Sequence, residues 1–196
     1  AGNRINRLGY SAGKLIFSGC PGGGKIELGI VNLQTLYFTN ILHLGNFRFR
    51  QFLKTEYITG INRFSDDSID FTAEGSIRGV RYNHTVTGTQ RLFLSMETVA
   101  FTTWETHGFA FALFSFADMD IIGSSNKIIF TQNYYSGLGL GVRIHSETIG
   151  VETVQVRFAW YPNLPLDQKA YSFTSSGGKR MLPIDFIGSK PEILDY

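Results

Sequence analysis

The chain has 196 residues, 43% of them hydrophobic, 14% aromatic and 17% charged, with 22 glycines and a formal net charge of +2. So apolar and aromatic a composition excludes a disordered segment, and Lys and Arg scattered among acids supply no concentrated basic face for nucleic acid. The single cysteine, Cys20, excludes an internal disulfide and any multi-cysteine metal site. No uninterrupted apolar run reaches the roughly 18 residues of a transmembrane helix, which leaves a β-barrel as the remaining route across a membrane. The start, Ala1-Gly2-Asn3-Arg4, lacks the basic and then apolar run of a secretory signal, as expected of a mature chain, a recombinant piece or a fragment.

Two-residue alternation over segments of about ten residues dominates the chain, and helical period is absent. In order, it predicts strands at Ile5–Phe17, Lys25–Thr39, Phe47–Asn62, Ser68–Glu74, Gln90–Thr102, Gly108–Ile122, Ile128–Ser146, Glu152–Tyr161 and Lys169–Ser175. Each well-formed segment has one apolar face and one polar face. Phe47, Phe49 and Leu53 oppose Arg48, Arg50, Lys54 and Glu56; Leu92, Leu94 and Met96 oppose Arg91, Ser95 and Glu97. Leu138, Leu140, Val142 and Ile144 oppose a row of glycines with Arg143 and His145, while Val154, Val156, Phe158 and Trp160 oppose Gln155 and Arg157. A strand between lipid and a wet lumen needs such faces. A soluble sandwich or lipocalin-like barrel with the apolar faces inward has the same period. Segments longer than the five or six residues usual for soluble strands favour the membrane barrel. The expected fold class is an all-β, transmembrane antiparallel β-barrel, without a domain boundary inside the chain.

Several short motifs imitate catalytic ones. Gly9-Tyr10-Ser11-Ala12-Gly13 matches the nucleophile elbow of lipases and esterases, but a short strand and a Pro-Gly turn follow where a helix is required. Gly19 to Lys25 matches most of a phosphate-binding loop, but Ile26 stands where Ser or Thr would hold magnesium. His43, His84, His107 and His145 lack metal-ligand spacing. Asn83-His84-Thr85 is a common triplet that also fits a glycosylation acceptor. These residues predict neither an enzyme nor a metal or cofactor site.

The most informative stretch is Gly75-Ser76-Ile77-Arg78-Gly79-Val80-Arg81-Tyr82, which puts Arg78 in a long loop ahead of Glu97 and Asp118 on the next two strands. An arginine folded into a barrel loses hydration, a cost that only well-placed acids offset. Arg78 is therefore expected to pair with Glu97, Asp118 or both, at roughly 1.5–3 kcal/mol per charge-assisted bond. Room for the loop is expected beside Ala110 and Ala112, which share the face of Asp118. Arg48, Arg50, Arg143 and Arg157 are expected to form a basic strip along the lumen; charges that merely hydrate a pore wall are the plainer alternative.

Taken together, Ile77-Arg78-Gly79, the strand from Gly88 to Glu97, Phe114-Ser115-Phe116-Ala117-Asp118, Tyr135 through Arg143 and Thr153 through Phe158 resemble the outer-membrane assembly-factor superfamily. That superfamily, the bacterial surface antigen proteins, includes BamA, TamA and the two-partner secretion transporters. The resemblance runs from about Lys25 onward, with Val80 where the family usually has Phe or Tyr and Tyr82 two places later. It implies the carboxy-terminal half, strands eight to sixteen, of a sixteen-stranded barrel, with Ile77, Arg78, Gly79 and Tyr82 in the loop motif and without POTRA domains in this chain. It also implies the outer membrane of a Gram-negative bacterium, and a function in inserting barrel proteins or translocating polypeptides. Expected partners are outer-membrane lipids, client polypeptides, accessory lipoproteins and the rest of the barrel. A barrel anchor for a patatin-like lipase and a passive porin are the alternative functions.

Overall fold

β-Branched and aromatic residues with period-two spacing build long antiparallel strands throughout the computed structural model, which describes residues 10–22, 25–61, 69–70, 77–80, 87–124, 126–146, 153–164 and 169–178. The strands are β1 (Tyr10–Gly22), β2 (Lys25–Phe38), β3 (Leu42–Leu44), β4 (Phe47–Ile61), β5 (Ile69–Asp70) and β6 (Thr87–Gly88). They continue with β7 (Gln90–Thr106), β8 (Phe109–Gly123), β9 (Asn133–Ser146), β10 (Thr153–Asn163) and β11 (Tyr171–Gly178). The main sheet runs β1-β2-β4-β7-β8-β9-β10-β11, with β3 also on β4, and every ladder in it is antiparallel. No α-helix occurs among the described residues.

β2 and β3 are one strand interrupted by a bulge. Phe38 pairs with Phe52 and Leu42 with Phe49, so β2–β3 spends four steps where β4 spends three. Thr39 closes the gap: its N–H donates to the Gln51 carbonyl at 2.9 Å, and its hydroxyl accepts the Gln51 N–H at 3.0 Å. β7 and β8 meet through His107 and Gly108, whose positive φ values of 53° and 78° are those of a type I′ hairpin turn, matched to strand twist. β7 also runs past the expected end at Thr102, because a register shift between Phe101 and Glu105 lets pairing with β8 resume.

Two expected strands are corrected. Of the expected strand Ser68–Glu74 only Ile69–Asp70 lies among the described residues; it pairs with Thr87–Gly88 outside the main sheet, in which β4 pairs directly with β7. The sheet path thus has eight strands rather than nine. Ile128–Ser146 begins as a strand only at Asn133, since residues 129–131 form a 3-10 turn. Ile128 and Phe130 alternate like strand residues, but the Gln132 side chain takes the strand partner's place. Its amide donates to the Ser124 carbonyl at 2.6 Å, and its carbonyl accepts the Ser124 N–H at 3.0 Å.

The pairing register sorts side chains onto two faces, and their exposure is opposite to that of a soluble sheet. One face, here called the loop face because residues 77–80 pack on it, holds Lys54, Arg91, Ser95, Glu97, Asp118, Asp120, Arg143, Thr153 and Gln155, all buried. Glu97 and Asp120 are 0% exposed. The opposite, bare face holds Leu33, Tyr37, Leu53, Met96, Leu138, Leu140, Phe158, Trp160 and Phe173, all exposed, with Leu140 at 63% and Phe173 at 74%. Apolar residues of the loop face form a small core of Phe52, Ile77, Val99, Phe114, Phe116, Ala159 and Tyr161.

Glycines on β9 make room for that core. A Cβ at Gly139 would strike the Phe116 ring and the Phe158 carbonyl, and one at Gly141 would strike the Phe114 ring and the Val156 carbonyl. At Gly137 it would lie 2.7 Å from Ile77 Cγ2 and 2.9 Å from the Tyr161 ring. Gly139→Val is therefore expected to lower stability by about 1–3 kcal/mol through overpacking, read from urea unfolding of the folded chain in detergent. The nearby exposed change Ser115→Val should shift the midpoint much less; equal shifts would contradict the packing role of Gly139.

Candidate functional site

Residues 77–80 turn tightly on the loop face, with the Val80 N–H donating to the Ile77 carbonyl at 3.2 Å. Gly79 has φ +85°, a left-handed conformation that favours glycine, and a Cβ there would lie 2.5 Å from the Tyr161 hydroxyl oxygen. Ile77, 1% exposed, enters the aromatic core beside Gly137, which anchors the apolar side of the turn.

Arg78 is held from both its backbone and its side chain. Its backbone N–H donates to Asp118 Oδ2 at 3.0 Å, while its Nε and Nη2 grip the same carboxylate at 2.9 and 2.8 Å. Nη1 donates to Glu97 Oε2, and Nη2 also reaches Ser95 Oγ at 3.2 Å and the Met96 carbonyl at 3.3 Å. The guanidinium carbon lies 4.1 Å from the centroid of the Phe116 ring, a cation–π contact that covers one face of the charge. The Tyr161 hydroxyl donates to the Arg78 carbonyl at 2.8 Å and fixes the turn from β10.

The acids have other partners. Ser95 Oγ donates to Asp118 Oδ1 at 2.6 Å, and Arg143 Nη1 donates to Glu97 Oε1 at 2.7 Å. Arg143 in turn sends its Nε to Gln155 Oε1 at 2.9 Å and lies 4.3 Å from the Phe114 centroid. Two arginines and two carboxylates thus form one buried, charge-balanced network across β7, β8, β9, β10 and the turn, the arrangement in which buried ions are tolerated. A separate pair lies farther along the sheet: Arg91 grips Asp120 with bonds of 2.8 and 2.7 Å.

Arg78, Glu97 and Asp118 therefore come together, with Ile77 and Gly79 in the same turn. Tyr82 lies outside the described residues, as do Gly9, Asn83 and His84. Arg48, Arg50, Arg143 and Arg157 share the loop face without forming a contiguous strip, since β7 and β8 separate the first two from the last two. Arg50 lies 5.1 Å from the Phe38 centroid, whereas Arg143 belongs to the acid network. The space for the turn comes from Gly137, the register partner of Asp118, rather than from Ala110 and Ala112 alone. Sequence reasoning also passed over Ser95 as a ligand of Asp118, Arg143 as the second partner of Glu97, and Tyr161. Parity alone could have flagged the first two. Tyr161 is separated from Arg78 by 83 residues and could not be found locally.

This constellation holds the turn of residues 77–80 against the sheet. No group of three or more His, Cys, Asp or Glu side chains is placed to hold a metal among the described residues.

Arg78→Met is expected to cost about 3–5 kcal/mol of stability, because it leaves two buried carboxylates with reduced compensation. The double variant Arg78→Met with Asp118→Leu should lose clearly less than the sum of the single losses. Tyr161→Phe should cost about 1 kcal/mol and raise hydrogen exchange at residues 77–80 without exposing β7. Denaturant unfolding combined with site-resolved exchange checks all three; additive losses would contradict the network.

No protein-family model, curated protein or solved structure matches the chain.

Proposed function

We propose that the chain is the carboxy-terminal half of an outer-membrane β-barrel of the assembly-factor and surface antigen kind, which inserts barrel proteins into the membrane or passes polypeptides across it. The observation that carries this reading is the inverted sheet. Its charged face is buried, with an arginine-bearing turn packed on part of it, and its apolar face is bare. In water, apolar area left exposed forgoes about 25 cal/mol per Å²; against lipid the same face is the stable one. The ordered motifs that resemble the superfamily now have a geometric partner in the grip of Arg78 on Glu97 and Asp118.

Connection lengths support an orientation. Outer-membrane barrels have short periplasmic turns and longer extracellular loops. Gly45-Asn46 and His107-Gly108 close tight hairpins at one end of the sheet, and the long connection from β4 to β7 lies at the other. The turn carrying Arg78 would then fold inward from the extracellular side. Counted back from a sixteenth strand at β11, the eight strands of the sheet path would be strands nine to sixteen, with β1 the ninth.

In this reading no covalent chemistry occurs. The network fixes the turn against β7 and β8, and so holds the wall in a shape that can open at the seam or pass a chain through the lumen. The folding free energy of the client drives the process. Arg78→Glu in the full-length protein should deplete client proteins from the outer membrane while the variant's own folded band persists. Undiminished clients alongside a folded variant would favour a passive porin. Independently, Leu140→Arg at the centre of the bare face should destabilise the barrel in lipid vesicles by about 2–4 kcal/mol; no loss would contradict a lipid-facing surface.

A further inference from the structure

The bare face is covered at one end. Side chains alternate along β8, so Ile121 and Gly123 point to the same side of the sheet as Leu138, and their ladder partners Leu92, Tyr134 and Gln90 share that side. Ile121 and Gln90 are nevertheless only 4% exposed each. The connection from β8 to β9 folds back over them: residues 129–131 pack against β7 and β8, and a Cβ at Gly123 would strike the Gln132 side chain. Two glutamine amides pin this fold-back. Gln90 Nε2 donates to the Ser124 carbonyl at 2.6 Å and to the Lys127 carbonyl at 2.8 Å, and Gln132 Nε2 donates to the same Ser124 carbonyl at 2.6 Å. The Thr131 N–H and hydroxyl both donate to the Ile128 carbonyl, at 3.1 and 2.8 Å. These bonds satisfy the polar backbone of the turn and leave its apolar side chains outside, with Ile128 72% and Phe130 73% exposed. Lys127 precedes them, and Tyr134, also exposed, follows on β9.

We propose that residues 127–130 form an interfacial anchor. Ile128 and Phe130 enter the boundary between the acyl chains and the phosphate-bearing headgroups of the leaflet at this end of the sheet, with the Lys127 ammonium at the phosphates. Three features select lipid over a protein partner. The turn lies on the side of the sheet that carries Leu138 and Leu140, so its tip continues the apolar face. It stands where that face stops, since Gln90 and Gly123 form the last rung of the β7–β8 ladder. An aliphatic and aromatic tip beside a lysine and a tyrosine has the composition of a membrane–water boundary, where aromatic rings and long basic side chains gather. A tip already held by side-chain bonds also gives up little conformational freedom on entering the lipid. The proposal rests on the membrane reading of the bare face and adds which part of the lipid the tip meets.

The test places a fluorophore, after Cys20→Ser, at Phe130→Cys or at Leu140→Cys of the full-length protein in phospholipid vesicles. Its quenching is read with lipids brominated near the headgroup, with lipids brominated near the chain end, and with acrylamide in the water. The Phe130 label should be quenched more by the shallow bromines than by the deep ones and little by acrylamide, and the Leu140 label more by the deep ones. Gln90→Leu, which removes one of the two amides, should raise acrylamide quenching of the Phe130 label and leave the Leu140 label unchanged. Strong acrylamide quenching at Phe130 with deep quenching at Leu140 would overturn the anchor and leave the membrane reading standing, and so would a Phe130 signal that Gln90→Leu does not change. Strong acrylamide quenching of both labels would overturn the membrane reading and the anchor with it.

Discussion

The pairing of Arg78 with Asp118 is the contact on which the other features of the loop face depend. Asp118 and Glu97 sit on adjacent strands with their side chains sealed from solvent, and burying such carboxylates is tolerated only when cations and hydrogen-bond donors reach them. The turn supplies one cation with a rigid fork, and Arg143 supplies the other from β9. In return the acids fix a turn of four described residues onto a sheet, a job that its apolar anchors, Ile77 and Val80, would do less selectively. Because the fork requires both direction and distance, the turn has one seat rather than several.

Around that seat, polar and apolar requirements are met by different residue types on the same strands. Glycines at 137, 139 and 141 let Phe114, Phe116 and Tyr161 lie close to the backbone. Two of those aromatic rings then cover the guanidiniums of Arg78 and Arg143. The packing that buries the charges therefore also supplies their cation–π partners. The bare face has no such internal solution. Leu140 and Phe173 are largely exposed on their own side of the sheet, and it is this contrast between the faces, more than any one residue, that makes a lipid contact the economical reading.

Much of this was legible in the sequence, for identifiable reasons. Period two runs uninterrupted through Arg91–Ala100 and Thr153–Tyr161, so strand identity and face followed directly from parity. Parity also put Arg78's partners on a common face, because Glu97 and Asp118 lie on consecutive paired strands, and the register shift between Phe101 and Glu105 amounts to two residues and so preserves parity. It failed where a side chain replaced the backbone as strand partner, as at Gln132, and it could not tell that Ile69–Asp70 would pair with Thr87–Gly88 apart from the main sheet. The closing hydroxyl of Tyr161 and the accommodating gap at Gly137 depend on tertiary register, which short-range pattern does not encode.

The central claim is that the apolar face meets lipid while the charged face turns away from it. The most direct measurement is electron paramagnetic resonance on nitroxide labels placed, after Cys20→Ser, at Leu140 or at Ser172 of the full-length protein in lipid vesicles. These positions lie on opposite faces of the sheet, one exposed and apolar, the other polar and next to the turn. The account predicts that the Leu140 label relaxes readily with oxygen and poorly with a water-soluble nickel chelate, and that the Ser172 label shows no such preference for oxygen. A Leu140 label as accessible to the nickel chelate as a label on a soluble protein's surface would contradict it.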